Sequence, residues 1–343
     1  MKINIFFKEV PGAWGGGNQF LKALKCYLVS IDSYVYDFKD ADVIIFNSHQ
    51  FLNEILKIKL KYPEKIFIHR IDGPMVYYRD GGPYLDLLLF KVNEKLSDGT
   101  IFQSSYSKVA CKNLGLKNNF FEQIITNAPN PRIFNQKNKT LFSSDRRVRL
   151  ISTSWSPNWR KGFDVYQWLD INLDFTKYEM TFIGNSPIKF KNIKMIEPLD
   201  SRSLAHKLKE SDIFIFASKI ESCSNSLLEA LHSGLPAIAY DSTGNTEILK
   251  KFGKTFQSKN EIPHILDDIV ENYAHYAGNI DPPKINDIGN LYFIFCKKIY
   301  NDPRYKTKKI SYYFYHSMKI NFLFKKAIDK FIFLVRQSLN KFL

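Results

Sequence analysis

Short runs of β-branched and aromatic residues punctuate this chain, separated by longer stretches whose apolar positions recur at helical spacing. In the first part the runs are KINIFF from Lys2, DVIIF from Asp42, KIFIH from Lys65, TIFQ from Thr100 and QIIT from Gln123. Each is short, apolar and bounded by turn residues, which predicts a strand, and strands alternating with amphipathic helices imply a parallel sheet. From Asn135 to Arg147 the sequence NQKNKTLFSSDRR is polar and charged with little apolar periodicity, and reads as an interdomain connection. The alternation then resumes with VRLIST, YEMTFI, NIKMI, DIFIFA and PAIAY. The pattern predicts an α/β chain with one parallel-sheet domain over residues 1–140, a second over 147–300 and a helical tail over 301–343. Two such sheets face one another across a cleft, with the chemistry in loops beyond the carboxyl ends of the strands.

Composition supports this picture. The length of 343 residues suits two domains better than one core, and 45% hydrophobic with 15% aromatic residues excludes a disordered or fibrous chain. Cys26, Cys111, Cys223 and Cys296 are widely separated, with no CxxC pair, so reduced thiols in a cytoplasmic protein and no zinc site are expected. The first apolar run, Ile3 to Phe7, is shorter than a signal-peptide core and reads as a strand.

The net charge of +15 is unevenly placed. From Pro303 to Leu343 the chain carries +9, with Asp329 as the only acid. Projection at 100° per residue gathers Ile320, Phe324, Ile328, Phe331, Val335 and Phe342 on one face of this tail and puts Lys319, Lys326, Lys330, Gln337 and Lys341 opposite, with Phe322 and Phe333 breaking the separation. Such a helix suits an anionic membrane surface or packing back on the first domain, and both uses stay open. Nucleic-acid binding is weaker, because no recognised module accompanies the charge.

Candidate chemistry sits just after the apolar runs. Gly15, Gly16 and Gly17 precede a helix bearing Phe20, Leu21, Leu24 and Leu28. Glycines admit close approach of a ligand to backbone, Asn18 is placed to cap, and free amides at a helix start favour an anion. A tight strand-to-helix turn explains these glycines equally well. His69 and Asp72 end a first-domain strand facing the expected cleft, with Asp72 suited to orient or deprotonate an acceptor hydroxyl, or to simple turn chemistry before Gly73-Pro74. Arg160 and Lys161, on a loop before Gly162, are adjacent cations suited to a diphosphate or to solvent. Gly184 and Asn185 follow a strand directly, where loops shape nucleotide pockets through backbone. Most informative is DIFIFASKIESCSNSLLEALHSGLP. A strand ends near Ala217, Glu221 lies in the turn, Ser224 or Asn225 caps a helix, and Glu229 falls about one turn inside it.

This last stretch resembles the family 4 retaining glycosyltransferases of the GT-B architecture (glycosyl transferases group 1), with two Rossmann-like domains. Their signature of Glu, seven residues, Glu, a helix, a small residue with Gly and a Pro-led strand is matched by Glu221, Glu229, Ser233, Gly234 and Pro236, followed by Gly244 and Glu247. SDGTIFQSSYSK, IITNAPNPRIF and WRKGFD resemble further family segments, so the likeness spans most of residues 1–260. It implies transfer of a sugar from a nucleoside diphosphate sugar to a glycan or lipid-linked hydroxyl acceptor, as in surface polysaccharide, lipopolysaccharide or glycolipid synthesis. Glu221 would contact the transferred sugar, Glu229 the ribose and Lys161 the diphosphate, and the backbone at Ser222, Cys223 and Ser224 would line the sugar pocket beside Asn225. His69, Gly16, Gly17, Gly184 and Asn185 complete the expected donor contacts. No cofactor or metal is expected, since fixed cations take the metal's place. Where many members have an Arg before the Lys-Gly pair this chain has Trp155, which leaves open compensation by Arg160 or a non-catalytic nucleotide-sugar or glycan-binding protein of the same fold.

Overall fold

The computed structural model describes residues 1–9, 16–78, 82–249 and 252–339. The first domain's runs form β1 (Ile3–Phe6), β2 (Val43–Asn47), β3 (Ile66–Ile71), β4 (Gly99–Phe102) and β5 (Glu122–Ile124), parallel and in that spatial order. A single parallel bridge joins Ile3 to Tyr34. Between the strands lie α1 (Gly16–Ser30), α2 (Leu52–Lys61), α3 (Met75–Tyr78), α4 (Tyr84–Leu96) and α5 (Ser105–Asn113). With helices on both faces, β2 and β3 are buried along their whole length, which is why they read as continuous rather than alternating apolar runs.

The second domain repeats the plan with β6 (Val148–Ser154), α6 (Phe163–Asn172), β7 (Tyr178–Gly184), β8 (Lys194–Ile196), α7 (Ser201–Glu210), β9 (Ile213–Phe216), α8 (Asn225–His232), β10 (Ala237–Tyr240), α9 (Thr243–Leu249), β11 (Gly253–Phe256), α10 (Ile262–Glu271) and α11 (Tyr273–Gly278). Its sheet runs β11-β10-β9-β6-β7-β8, so the chain leaves β6 in one direction and returns to β9 on the other side. Loops diverge at that reversal and open a crevice at the carboxyl ends of β6 and β9. Every apolar run read from the sequence forms a strand. β11 was not among them, because GKTF at the sheet edge carries an exposed Lys254 and lacks a run of apolar residues.

Packing moves both domain limits. Phe134, counted with the first domain up to residue 140, is 2% exposed and lies in the second domain's core against Ile151 and Leu231. Lys139 donates to the Ser211 carbonyl at 2.8 Å. Conversely α12 (Ile285–Tyr300), counted with the second domain, crosses to the first. Ile285, Ile288, Tyr292, Phe295, Cys296 and Ile299 join Ile3, Phe20, Leu24 and Ile101 in one core, because their helical stripe complements α1 and the first sheet. The following segment is fastened by Asp98, which accepts bonds from the Tyr305 hydroxyl (2.9 Å), the Lys308 amide (2.8 Å) and the buried Lys59 ammonium (3.2 Å).

The tail forms α13 (Tyr312–Leu339), which packs on α2 and α4. Met318 and Phe322 are buried there beside Ile55, Leu88 and Val92. The projected apolar face is not the one that packs: Ile320, Phe324 and Phe331 are 67%, 59% and 68% exposed. The helix carries two apolar stripes, and α2 and α4 take the one to which Phe322 belongs. Phe342 and Lys341 lie outside the described residues.

Candidate functional site

A cavity of about 680 Å³ opens between the domains, lined on one side by Phe7, Asn47, His49, Asp72, Tyr78 and Gln103 and on the other by Trp155, Lys161, Glu221, Ser222, Cys223 and Asn225. It sits beyond β1 and β2 in the first sheet, where the Ile3–Tyr34 bridge flanks β1, and beyond β6 and β9 in the second, where the strand order reverses. A smaller recess adjoins it, lined by Trp155, Ile183, Gly184, Leu199, Leu204 and Glu229.

Glu221 lines the cavity. Its Oε1 accepts from Lys161 Nζ at 2.5 Å and Ser218 Oγ at 2.6 Å. Its backbone is held too: the amide donates to Thr243 Oγ1 at 3.0 Å, and the carbonyl accepts from the Gly244 amide at 2.8 Å. Lys161 ends a 3-10 turn, Trp159–Lys161, whose start is capped by the Asn158 side chain. Gly162 then takes a left-handed conformation (φ +86°), and a Cβ there would lie 2.2 Å from the Ala217 carbonyl oxygen. Only glycine allows this turn to pack on the end of β9, and that packing brings Lys161 to Glu221.

After Glu221, Ser224 caps α8 by accepting from the Leu227 amide at 3.2 Å, so Asn225 becomes the first helical residue. The side chains of this segment reach the other domain. Ser222 Oγ is hydrogen-bonded to the Tyr78 hydroxyl, Cys223 Sγ meets the Thr126 hydroxyl at 3.2 Å and the Asn127 amide at 3.4 Å, and Asn225 Oδ1 accepts from Asn127 Nδ2 at 3.2 Å. Glu229, one turn into α8, is nearly enclosed in the recess, and loss of water pushes its carboxyl from an ordinary 4.5 up to about 8.

From the first domain, Asp72 enters the cavity on a rigid mount. Its Oδ1 accepts from Arg70 Nη1 at 2.8 Å and from Gln103 Nε2, and its Oδ2 from Asn47 Nδ2 at 3.4 Å. The fully buried Arg70 also donates to Asn47 and, at 2.7 Å, to Asn127 Oδ1. Asn47, His49, Tyr78 and Gln103 were not read as site residues. Asn47 and Gln103 stand at the ends of the DVIIF and TIFQ runs, so the strand-end rule applied to every run would have found them.

Several expected contacts fall elsewhere. His69 does not reach the cavity: its ring stacks on Phe46 with centroids 4.2 Å apart, Nε2 bonds to the Ser48 carbonyl at 2.9 Å, and Nδ1 meets Asn93 Nδ2 at 3.1 Å. Complete burial holds it neutral, with its pKa lowered to about 3. Arg160 lines neither cavity, and its Nη1 donates to the Tyr77 carbonyl of the first domain at 3.2 Å. Asn185 is directed to the Trp155 carbonyl (2.7 Å) and steadies that residue instead of lining the recess. Gly184 does line it, at φ +130° and so close to β6 that a Cβ would meet the Ser154 carbonyl oxygen at 1.9 Å. Gly16 and Gly17 open α1, and Gly17 borders the large cavity. Asn18 lies inside the helix and not at its cap, and Gly15 is outside the described residues. Among the described residues no group of three or more His, Cys, Asp or Glu side chains is arranged to hold a metal ion.

Residues 189–273, which include Glu221, Glu229 and Glu247, match the family model described as glycosyl transferases group 1. No curated protein matches the sequence. Among solved structures, Anabaena Alr3699/HepE in complex with UDP and glucose aligns with a TM-score of 0.64 at 12% identity, over 88% of this chain and 98% of that one. Sucrose-phosphate synthase from Thermosynechococcus elongatus aligns at 0.61 and 12% identity, over 96% and 99%. The catalytic domain of starch synthase IV from Arabidopsis thaliana, bound to ADP and acarbose, aligns at 0.58 and 13%, over 83% and 78%. At such identities the likeness is one of fold, and the fold is GT-B.

Proposed function

On a GT-B scaffold whose second domain matches the glycosyl transferases group 1 model over residues 189–273, we propose that this chain is a family 4 enzyme that moves a sugar from a nucleoside diphosphate sugar to a hydroxyl acceptor with retention of configuration. The observation that carries this reading is the Lys161–Glu221 pair at 2.5 Å in a cavity that Asp72 also lines and that adjoins the Glu229 recess. The recess takes the nucleoside, with Glu229 beside the ribose. Lys161 and the first amides of α8 face the diphosphate, Glu221 the transferred sugar, and Asp72 the acceptor.

Catalysis in this reading is electrostatic. The bond from the anomeric carbon to the diphosphate breaks with its electron pair on the leaving group, where Lys161 and the helix start stabilise the growing charge. The acceptor oxygen, oriented by Asp72, bonds on the same face, and its proton leaves with the diphosphate. The fixed ammonium serves where other transferases use a metal, so EDTA is expected to leave activity unchanged. The acceptor is a precursor of a surface polysaccharide, lipopolysaccharide or glycolipid, and the enzyme works in the cytoplasm.

A thermal-shift screen against uridine, adenosine and guanosine diphosphate sugars tests the reading, followed by product analysis with the stabilising donor. A donor that raises the melting temperature and is turned over supports it; no shift with any donor overturns it. Trp155 at the position of an expected Arg favours a second reading, a binding protein without turnover. Stabilisation by a donor that is neither hydrolysed nor transferred would select that one.

A further inference from the structure

The outer face of α13 carries a run of exposed apolar side chains. Phe314, Met318 and Phe322 face α2 and α4, while Tyr313, Ile320, Phe324 and Phe331 fall within an arc of about 40° on the opposite side, all more than half exposed, with Leu323 at its edge. Lys319 and Lys330 are exposed along one border of this ridge. The ridge is also placed near the cavity. Asn321 accepts from the Tyr84 hydroxyl at 2.8 Å, and Phe324 meets the Tyr84 ring edge-on, so α13 passes the start of α4 just after cavity-lining Met75 and Tyr78. Beyond Phe324 the helix continues to Leu339, roughly 22 Å further at 1.5 Å per residue.

We propose that this ridge docks on an anionic lipid surface and turns the first-domain side of the cavity toward the bilayer. Charge selects that occupant. The last 41 residues carry +9 of the net +15, so two copies meeting through their tails would repel, whereas each lysine near an anionic surface is attracted to it. No described helix is long and apolar enough to cross a membrane. An apolar stripe bordered by lysines is the pattern of a helix lying in the interface. The docking stands on the surface alone; its consequence, a lipid-borne acceptor, rests on the transferase reading.

Sedimentation with phosphatidylcholine vesicles, with and without phosphatidylglycerol, tests it on the full chain. The protein should pellet with the anionic vesicles, be released by high salt, and lose at least about tenfold in retention, equivalent to 1.4 kcal/mol, in the exposed double variant Ile320→Glu/Phe331→Glu with its melting temperature unchanged. No retention on anionic vesicles, or undiminished retention of the variant, overturns the proposal. Concentration-dependent dimerisation lost in the same variant reassigns the ridge to a second copy and overturns it as well. For orientation, Cys26→Ser chains labelled at Gln50→Cys or Lys194→Cys are bound to vesicles containing nitroxide lipid; stronger quenching at position 50 is expected, and equal quenching overturns the orientation. Absence of donor binding with vesicle binding intact would sink the transferase reading alone.

Discussion

Glu247, in the second domain, accepts a hydrogen bond from the Tyr106 backbone amide of the first domain at 2.8 Å, and its other oxygen accepts from the Ser105 amide at 2.9 Å. One carboxylate thus caps α5 from across the cleft. The helix that bears it, α9, holds the backbone of Glu221 through Thr243 and Gly244. Approach of the two domains and placement of Glu221 are therefore mechanically linked. Charge-assisted bonds to helix-start amides are worth about 1.5–3 kcal/mol each. Glu247→Ala is expected to lower kcat at least about tenfold with little change in donor affinity, and Glu247→Gln, which keeps one acceptor oxygen, to recover part of the loss. Steady-state kinetics beside nucleotide-binding calorimetry measure both.

The Lys161–Glu221 pair makes the two residues separable by substitution. Glu221→Gln keeps the shape and leaves Lys161 available to a diphosphate, so nucleoside diphosphate affinity is expected to hold or rise while transfer falls by about 10²–10³. Lys161→Ala removes the cation and strands Glu221, so both affinity and turnover are expected to fall. Full transfer by Glu221→Gln would remove this carboxylate from the chemistry.

Asp72 is mounted on Arg70 and Gln103 and contacts the cavity from the first-domain side, where the proposed reading puts the acceptor. Asp72→Asn is expected to leave donor binding intact and to reduce transfer by about 10²–10⁴. Donor affinity that drops in step with transfer would place Asp72 on the wrong side of the reaction.

Glu229 gives the protein a distinctive alkaline limit. Its pKa is raised by burial from 4.5 to about 8, so the folded state binds its proton more tightly than the unfolded chain. The resulting stabilisation is complete below pH 4.5 and is lost as the pH rises through about 8. Glu229→Gln removes that titration. Melting temperatures taken from pH 5 to pH 9 should fall more steeply for the parent chain than for the variant; parallel curves would show that Glu229 titrates normally.

His69 produces the opposite slope, since burial lowers its pKa from 6.5 to about 3. Stability from this neutral ring is present above pH 6.5 and lost as the pH falls toward 3. His69→Asn is expected to destabilise the protein at neutral pH, through the broken contacts with Ser48 and Asn93, and to flatten the acid side of the stability curve. A variant as acid-sensitive as its parent would assign that slope to other groups.

The sequence by itself determined the two parallel sheets, because fully buried strands must be apolar along their length and helices between them must show a 3.6-residue stripe. It also pointed to Glu221, Glu229 and Lys161, through turn chemistry at strand ends and the spacing of the family pattern, and these three line the cavity and its recess. Only the tertiary structure decided which neighbour of a pair enters the cleft. Successive residues of a 3-10 turn point about 120° apart, so Lys161 meets Glu221 while Arg160 turns to Tyr77. At the end of β3 the pleat sends His69 into the packing under Phe46, and Asp72, just past the strand, into the cavity. The crossing of α12, the stripe chosen by α13 and the reach of Glu247 to Tyr106 were equally hidden. Each depends on a complementary surface contributed by residues far away in the chain, and a periodic pattern states that a face is apolar without stating what will cover it.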